Sequence, residues 1–152
     1  MQPLSVTASS IPCPDLDAIM AYQHLGVVRK LQQSGMPESE ALQLFDDTKR
    51  FLFLAATNPK AVRPTSPVDQ GWHSFLLFTR DYGQFCEKHF GRFLHHQPIL
   101  DSKDGNGGDV EDTVKAAQLV FGENLSPNWF ANPAECAPDS NCEAAPSDCA
   151  LN

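Results

Sequence analysis

The chain has 152 residues, about one domain's worth, and 41% of them are hydrophobic, which excludes a wholly disordered polypeptide. Nineteen acids against eleven lysines and arginines give a net charge of −8. That excludes nucleic acid or anionic lipid as the main partner, because both need clustered positive charge. The longest apolar run, residues 51–56, is far short of the roughly 20 residues a bilayer helix needs, so no membrane span is expected.

Residues 1–14 (MQPLSVTASSIPCP) carry no Lys or Arg and no apolar h-region, so they read as a flexible N-terminus rather than a signal peptide. A cytoplasmic location is the resulting expectation. There the five cysteines (Cys13, Cys86, Cys136, Cys142 and Cys149) are expected as thiols unless they bind metal. An odd count also fits a complete disulfide framework poorly.

A helical domain is expected over residues 15–130. The first helix covers 16–33, with Leu16, Ile19, Met20, Leu25, Val27, Val28 and Leu31 mostly three and four apart. Gly35 is its C′ residue, and Pro37 opens a second helix that runs to about Ala56. Glu38 and Glu40 then sit in a first turn, where the helix dipole favours negative charge. Residues 57–67 form a loop with three prolines. Ser66 as N-cap, Pro67 at N1 and Asp69 at N3 start a third helix, which runs through Trp72 to about Phe90 and stops at Gly91.

Residues 92–98 (RFLHHQP) are expected to be extended, since Pro98 disfavours helix at Gln97. Residues 101–109 are a flexible linker, and residues 110–122 a fourth helix. Asn128, Trp129 and Phe130 add aromatic bulk over the core. Residues 131–152 hold four acids, no base, three prolines and three cysteines, too little apolar surface to order a tail alone. No stretch shows sustained strand alternation. The fold class is therefore all-α: a compact bundle of about four helices, an extended His-His segment and a disordered C-terminal tail.

Chemistry concentrates in residues 66–98. On a helical wheel Trp72, Phe75, Leu76, Thr79, Tyr82, Gly83, Cys86 and Phe90 share one broad arc, with Leu77, Phe78 and Phe85 off it, so the third helix is apolar over much of its circumference and reads as the central helix of the bundle. Trp72, Tyr82, Phe85, Phe90 and Gly91 are packing residues. Asp69 and His73 lie one turn apart at its border, a spacing that lets a carboxylate and an imidazole share a metal. Cys86 and His89, then His95 and His96, offer a second group of zinc or iron ligands. His73 and Cys86 are thirteen residues apart, roughly 20 Å along a straight helix, so the two groups cannot share an ion unless the helix breaks, with Gly83 the expected place. As a capping residue, Asp69 has a structural alternative. The tail spacing Cys136-x5-Cys142-x6-Cys149 is no zinc knuckle, though three thiols can capture a soft metal or serve as redox targets.

The run from Ser66 to Pro98, with Asp69, Trp72, His73, Tyr82, Cys86, His95 and His96 as motif positions, resembles a bacterial family of glycine-rich domain-containing protein-like members. The resemblance covers about 33 residues, with weaker similarity from Arg50-Phe51-Leu52 to Asn58-Pro59. It implies a helical module and little chemistry. His89 is outside the motif, and this chain has no long glycine-rich segment.

Three functions follow as expectations. The first is a small helical protein that binds zinc or iron through His73, His95 and His96 with help from Cys86 or Asp69. The second is a metal-free structural or protein-interaction module. The third is a metal- or thiol-dependent enzyme, for which Cys86 and His89 make a poor dyad because both point outward in nearly parallel directions.

Overall fold

The computed structural model describes residues 13–98, 109–134 and 136–138. Among these lie α1 (Leu16–Ala21), α2 (Leu25–Gln32), α3 (Glu38–Thr57), α4 (Ser66–Leu76), α5 (Thr79–Phe90) and α6 (Val110–Phe121). A 3-10 turn spans Pro127–Phe130, and β1 (His96–Pro98) pairs antiparallel with β2 (Cys136–Pro138), His96 opposite Pro138. The all-α class holds. No helix of the described residues is long and apolar enough to cross a membrane.

The central helix is α3, not the third expected helix. It packs on α1, α2, α4, α6 and the 3-10 turn, and its second half buries Phe51, Leu52, Phe53 and Leu54 on successive positions. A helix apolar around its whole circumference must be surrounded. The third expected helix loses that role because it is two helices, α4 and α5.

Both unforeseen breaks have tertiary causes. The first expected helix stops at Tyr22, where the buried Lys49 ammonium donates to the carbonyls of Met20 (3.0 Å) and Tyr22 (2.7 Å) and so caps the end of α1. Then α2 starts anew with His24 as N-cap, its Nδ1 accepting from the Val27 N–H at 3.1 Å. That acceptor role leaves Nε2 as the protonated nitrogen, which donates to Asp81 at 2.7 Å. The second break falls at Leu77 and Phe78, not at Gly83. Phe78 packs on the His24 ring at 4.7 Å, and Asp81 lies in the first turn of α5. One histidine thus fixes the start of α2 and the start of α5.

Termini elsewhere follow the sequence more closely. Gly35 (φ 94°), Gly91 (φ 69°) and Gly122 (φ 92°) end their helices in conformations that side chains resist. Pro37 is N-cap rather than N1, and Thr65, not Ser66, is the N-cap of α4. Its side chain donates to the Asn128 carbonyl instead of capping. Asp47, 1% exposed, accepts from Trp129 Nε1 (3.0 Å), Asn128 Nδ2 (3.0 Å), the Ser126 hydroxyl and Arg50. A buried carboxylate this fully bonded ties the 3-10 turn to α3.

Part of the expected disordered tail is docked. Pro133 bridges Thr65, Arg63 donates two hydrogen bonds to the Ala134 carbonyl, and residues 136–138 form β2. Apolar content could not foresee this, because backbone hydrogen bonds hold these residues. Residues 139–152, with Cys142 and Cys149, lie outside the described residues, as does most of the 101–109 linker. Cys13 is disulfide-bonded, which corrects the expectation of thiols throughout. The compartment argument weighs redox conditions, whereas a disulfide needs a fold that brings two Cβ atoms to roughly 4 Å.

The crossing of α3 and α4 is close enough to need a glycine. A Cβ on Gly71 would overlap Thr48 Oγ1, a buried hydroxyl already committed to the Leu44 carbonyl. Gly71→Ala is expected to destabilise the protein by roughly 1–3 kcal/mol through overpacking, despite alanine's better helix propensity. Thermal denaturation checks this; a variant as stable as the parent would mean the two helices separate at no cost.

Candidate metal centre

Three side chains from two segments meet at the solvent edge of α4. Asp69 and His73 are one turn apart on that helix, and His96 arrives on β1, beyond α5 and the turn at Gly91. Asp69 Oδ1 accepts from His96 Nε2 at 2.7 Å, and Asp69 Oδ2 lies 3.2 Å from His73 Nε2. The two imidazole rings are 4.3 Å apart between centroids. One ligand atom from each of the three lies within 4.8 Å of the others.

The site has a closed side and an open side. The His96 side chain is 9% exposed and that of Asp69 15%, whereas His73 is 55% exposed. The closed side is the Trp72 ring, edge-on to His96 at 4.5 Å. Trp72 Nε1 donates to the Tyr82 hydroxyl (3.0 Å), and that hydroxyl donates to the Leu94 carbonyl (2.6 Å), all in the core. Leu94 is two residues before His96. This chain of bonds fixes the returning segment against the helix that carries Asp69 and His73.

The remaining expected site residues fall elsewhere. His95 is exposed and stacks on Phe93 at 4.7 Å, because neighbouring side chains in an extended segment point to opposite faces. Cys86 is a free thiol with no exposed surface; burial raises its pKa, outweighing hydrogen bonds with the Leu94 backbone and Tyr82 and the charge of Arg92. That is the environment of an inert thiol rather than a nucleophile. Asp69 does not reach back to cap α4; its carboxylate is taken by the two histidines. Of Cys136 the structure describes a place in β2. Every member of the cluster was a sequence candidate. What the spacing missed was the grouping, since it put His96 with Cys86.

His89 is also buried, against Phe85 at 4.7 Å, rather than solvated at a helix edge. Burial pushes its pKa below the ordinary 6.5, with Lys88 adding to the shift and Asp15 opposing it.

The class of protein is thus a mostly helical domain with one Asp-His-His cluster among its described residues. A family model described as UCP032817-like matches residues 18–110, more than half of the chain and all of α4, α5 and β1. The chain belongs to the UCP032817-like family, whose function is uncharacterised. This corrects the resemblance to glycine-rich domain proteins: the family shown is the UCP032817-like one. The residues that suggested it are in large part a packing pattern: Trp72 and Tyr82 are core, Cys86 is buried and His95 is a surface ring. No curated protein and no solved structure shows significant similarity to the chain.

Two outcomes are expected of variants here. Trp72→Ala should destabilise by about 3–5 kcal/mol, the usual cost of deleting a buried aromatic, while His73→Ala in the metal-free protein should stay within about 0.5 kcal/mol. Denaturant titration of both with chelator present decides; similar losses would mean His73 is part of the core. For His89, the folded state binds its proton less readily than the unfolded state. Its contribution to stability is therefore present above about pH 6.5 and is lost as pH falls below that value. The melting temperature of His89→Gln should decline less between pH 7 and 5 than that of the parent, and equal declines would show that this ring does not carry the acid sensitivity.

Proposed function

We propose that the protein binds one divalent transition-metal ion, zinc or iron, through Asp69, His73 and His96. The observation that carries this reading is the convergence of three donors from separated segments within 4.8 Å. Two donors each about 2.1 Å from an ion, at a right angle or a tetrahedral one, are roughly 3.0–3.4 Å apart. The carboxylate–imidazole separations of 2.7 and 3.2 Å lie near that range, so small side-chain movements suffice to admit an ion. Two imidazoles and a carboxylate suit zinc and iron(II) alike.

The second reading is a metal-free module, in which Asp69 is a hydrogen-bonded staple between α4 and the segment ending in β1. It is favoured by one observation: both carboxylate oxygens already have imidazole partners. Elemental analysis of protein purified without a His tag separates the two. The metal reading expects near-stoichiometric metal, a melting temperature lowered by chelator, and loss of both effects in His96→Ala, because binding adds to folding stability by mass action. Metal-poor protein that gains no stability from added zinc, cobalt or iron(II) overturns it and leaves the staple.

A further inference from the structure

We infer that an ion held by Asp69, His73 and His96 takes an external anionic ligand with two neighbouring oxygen donors, such as a small oxo or hydroxy acid, on the His73 side. This inference rests on the metal reading above. Structural zinc sites are closed by four protein ligands, whereas three protein ligands leave a position for an exchangeable partner. Among the described residues the cluster has three members, so at least one position of a four-coordinate ion, and up to three of a six-coordinate one, are not supplied by it.

Exposure sets the direction from which that ligand comes. The inner side is closed by the Trp72 ring on His96 and by the Tyr82–Leu94 bond behind it, while the His73 side chain is 55% exposed. Charge sets the chemistry. Two neutral imidazoles and one carboxylate leave a divalent ion with a net positive charge of one, which favours an anion over a neutral ligand. Ions carrying oxygen and nitrogen donors accept further oxygen donors, and a chelate of two oxygens fills two adjacent open positions at once. Asp69 Oδ1 meets His96 and Oδ2 meets His73, so the carboxylate sits between the two imidazoles, and His73 is the most exposed of the three.

The test uses full-length protein loaded with cobalt(II), whose visible spectrum reports coordination, with acetohydroxamate as the two-oxygen probe. A cobalt spectrum that is absent in His96→Ala establishes the site first; a chain that binds no cobalt in this way refutes the metal reading itself. Given that spectrum, the inference expects a saturable band shift on adding acetohydroxamate, with cobalt still on the protein after rapid desalting. A spectrum unchanged at saturating probe overturns the inference while the metal site stands. So does cobalt that leaves with the probe, without a protein-bound intermediate spectrum.

Discussion

The hydrogen-bond chain from Trp72 through Tyr82 to the Leu94 carbonyl is the constraint on which the candidate site depends. It joins α4, α5 and the segment before β1, which a straight helix would have kept apart. The break at Leu77 and Phe78 separates α5 from α4, and Gly91 turns the chain again. Only then does the segment carrying His96 return to the level of Asp69. Tyr82 uses its hydroxyl in both directions, accepting from the indole and donating to the backbone, so a buried polar group becomes a fixed joint rather than a cost.

Buried charge does similar work elsewhere. Lys49 ends α1 by taking its last carbonyls, with Asp46 at 3.0 Å and the Phe45 ring at 5.0 Å from the same ammonium. Asp47, the acid two positions earlier, gathers donors from the 3-10 turn on a different face of α3. Neighbouring residues of one helix thus anchor the N-terminal and C-terminal parts of the fold. Neither reads as buried from composition, because Asp and Lys are rarely inside without partners. The partners here, Met20 and Tyr22 carbonyls on one side and Trp129 on the other, are distant in sequence.

The candidate site combines a firm inner wall with an open outer face. Asp69 pairs with two imidazoles, His96 on the inner side and His73 in solvent. His96 is held from three directions: by the carboxylate, by the Trp72 ring and by the pairing of β1 with β2. The strand pairing links the candidate site to residues 136–138, so the part of the chain that looked least able to order itself helps to hold the segment that carries His96.

Local chemistry alone determined the helical class, the span of α3 and α6, the glycine stops at Gly35 and Gly91, and the packing roles of Trp72, Tyr82 and Phe90. These rest on periodicity and backbone conformation, which act over a few residues. Tertiary structure alone decided where the long apolar stretches break, since Trp72, Phe75, Leu76, Thr79 and Tyr82 keep helical spacing across the α4–α5 gap and the interactions that interrupt it come from His24. It also decided that His96 joins Asp69 and His73 while Cys86 and His95 go elsewhere. The sequence showed the candidate residues as two groups roughly a helix length apart; bringing one residue of the second group to the first took a tertiary arrangement that no local spacing encodes.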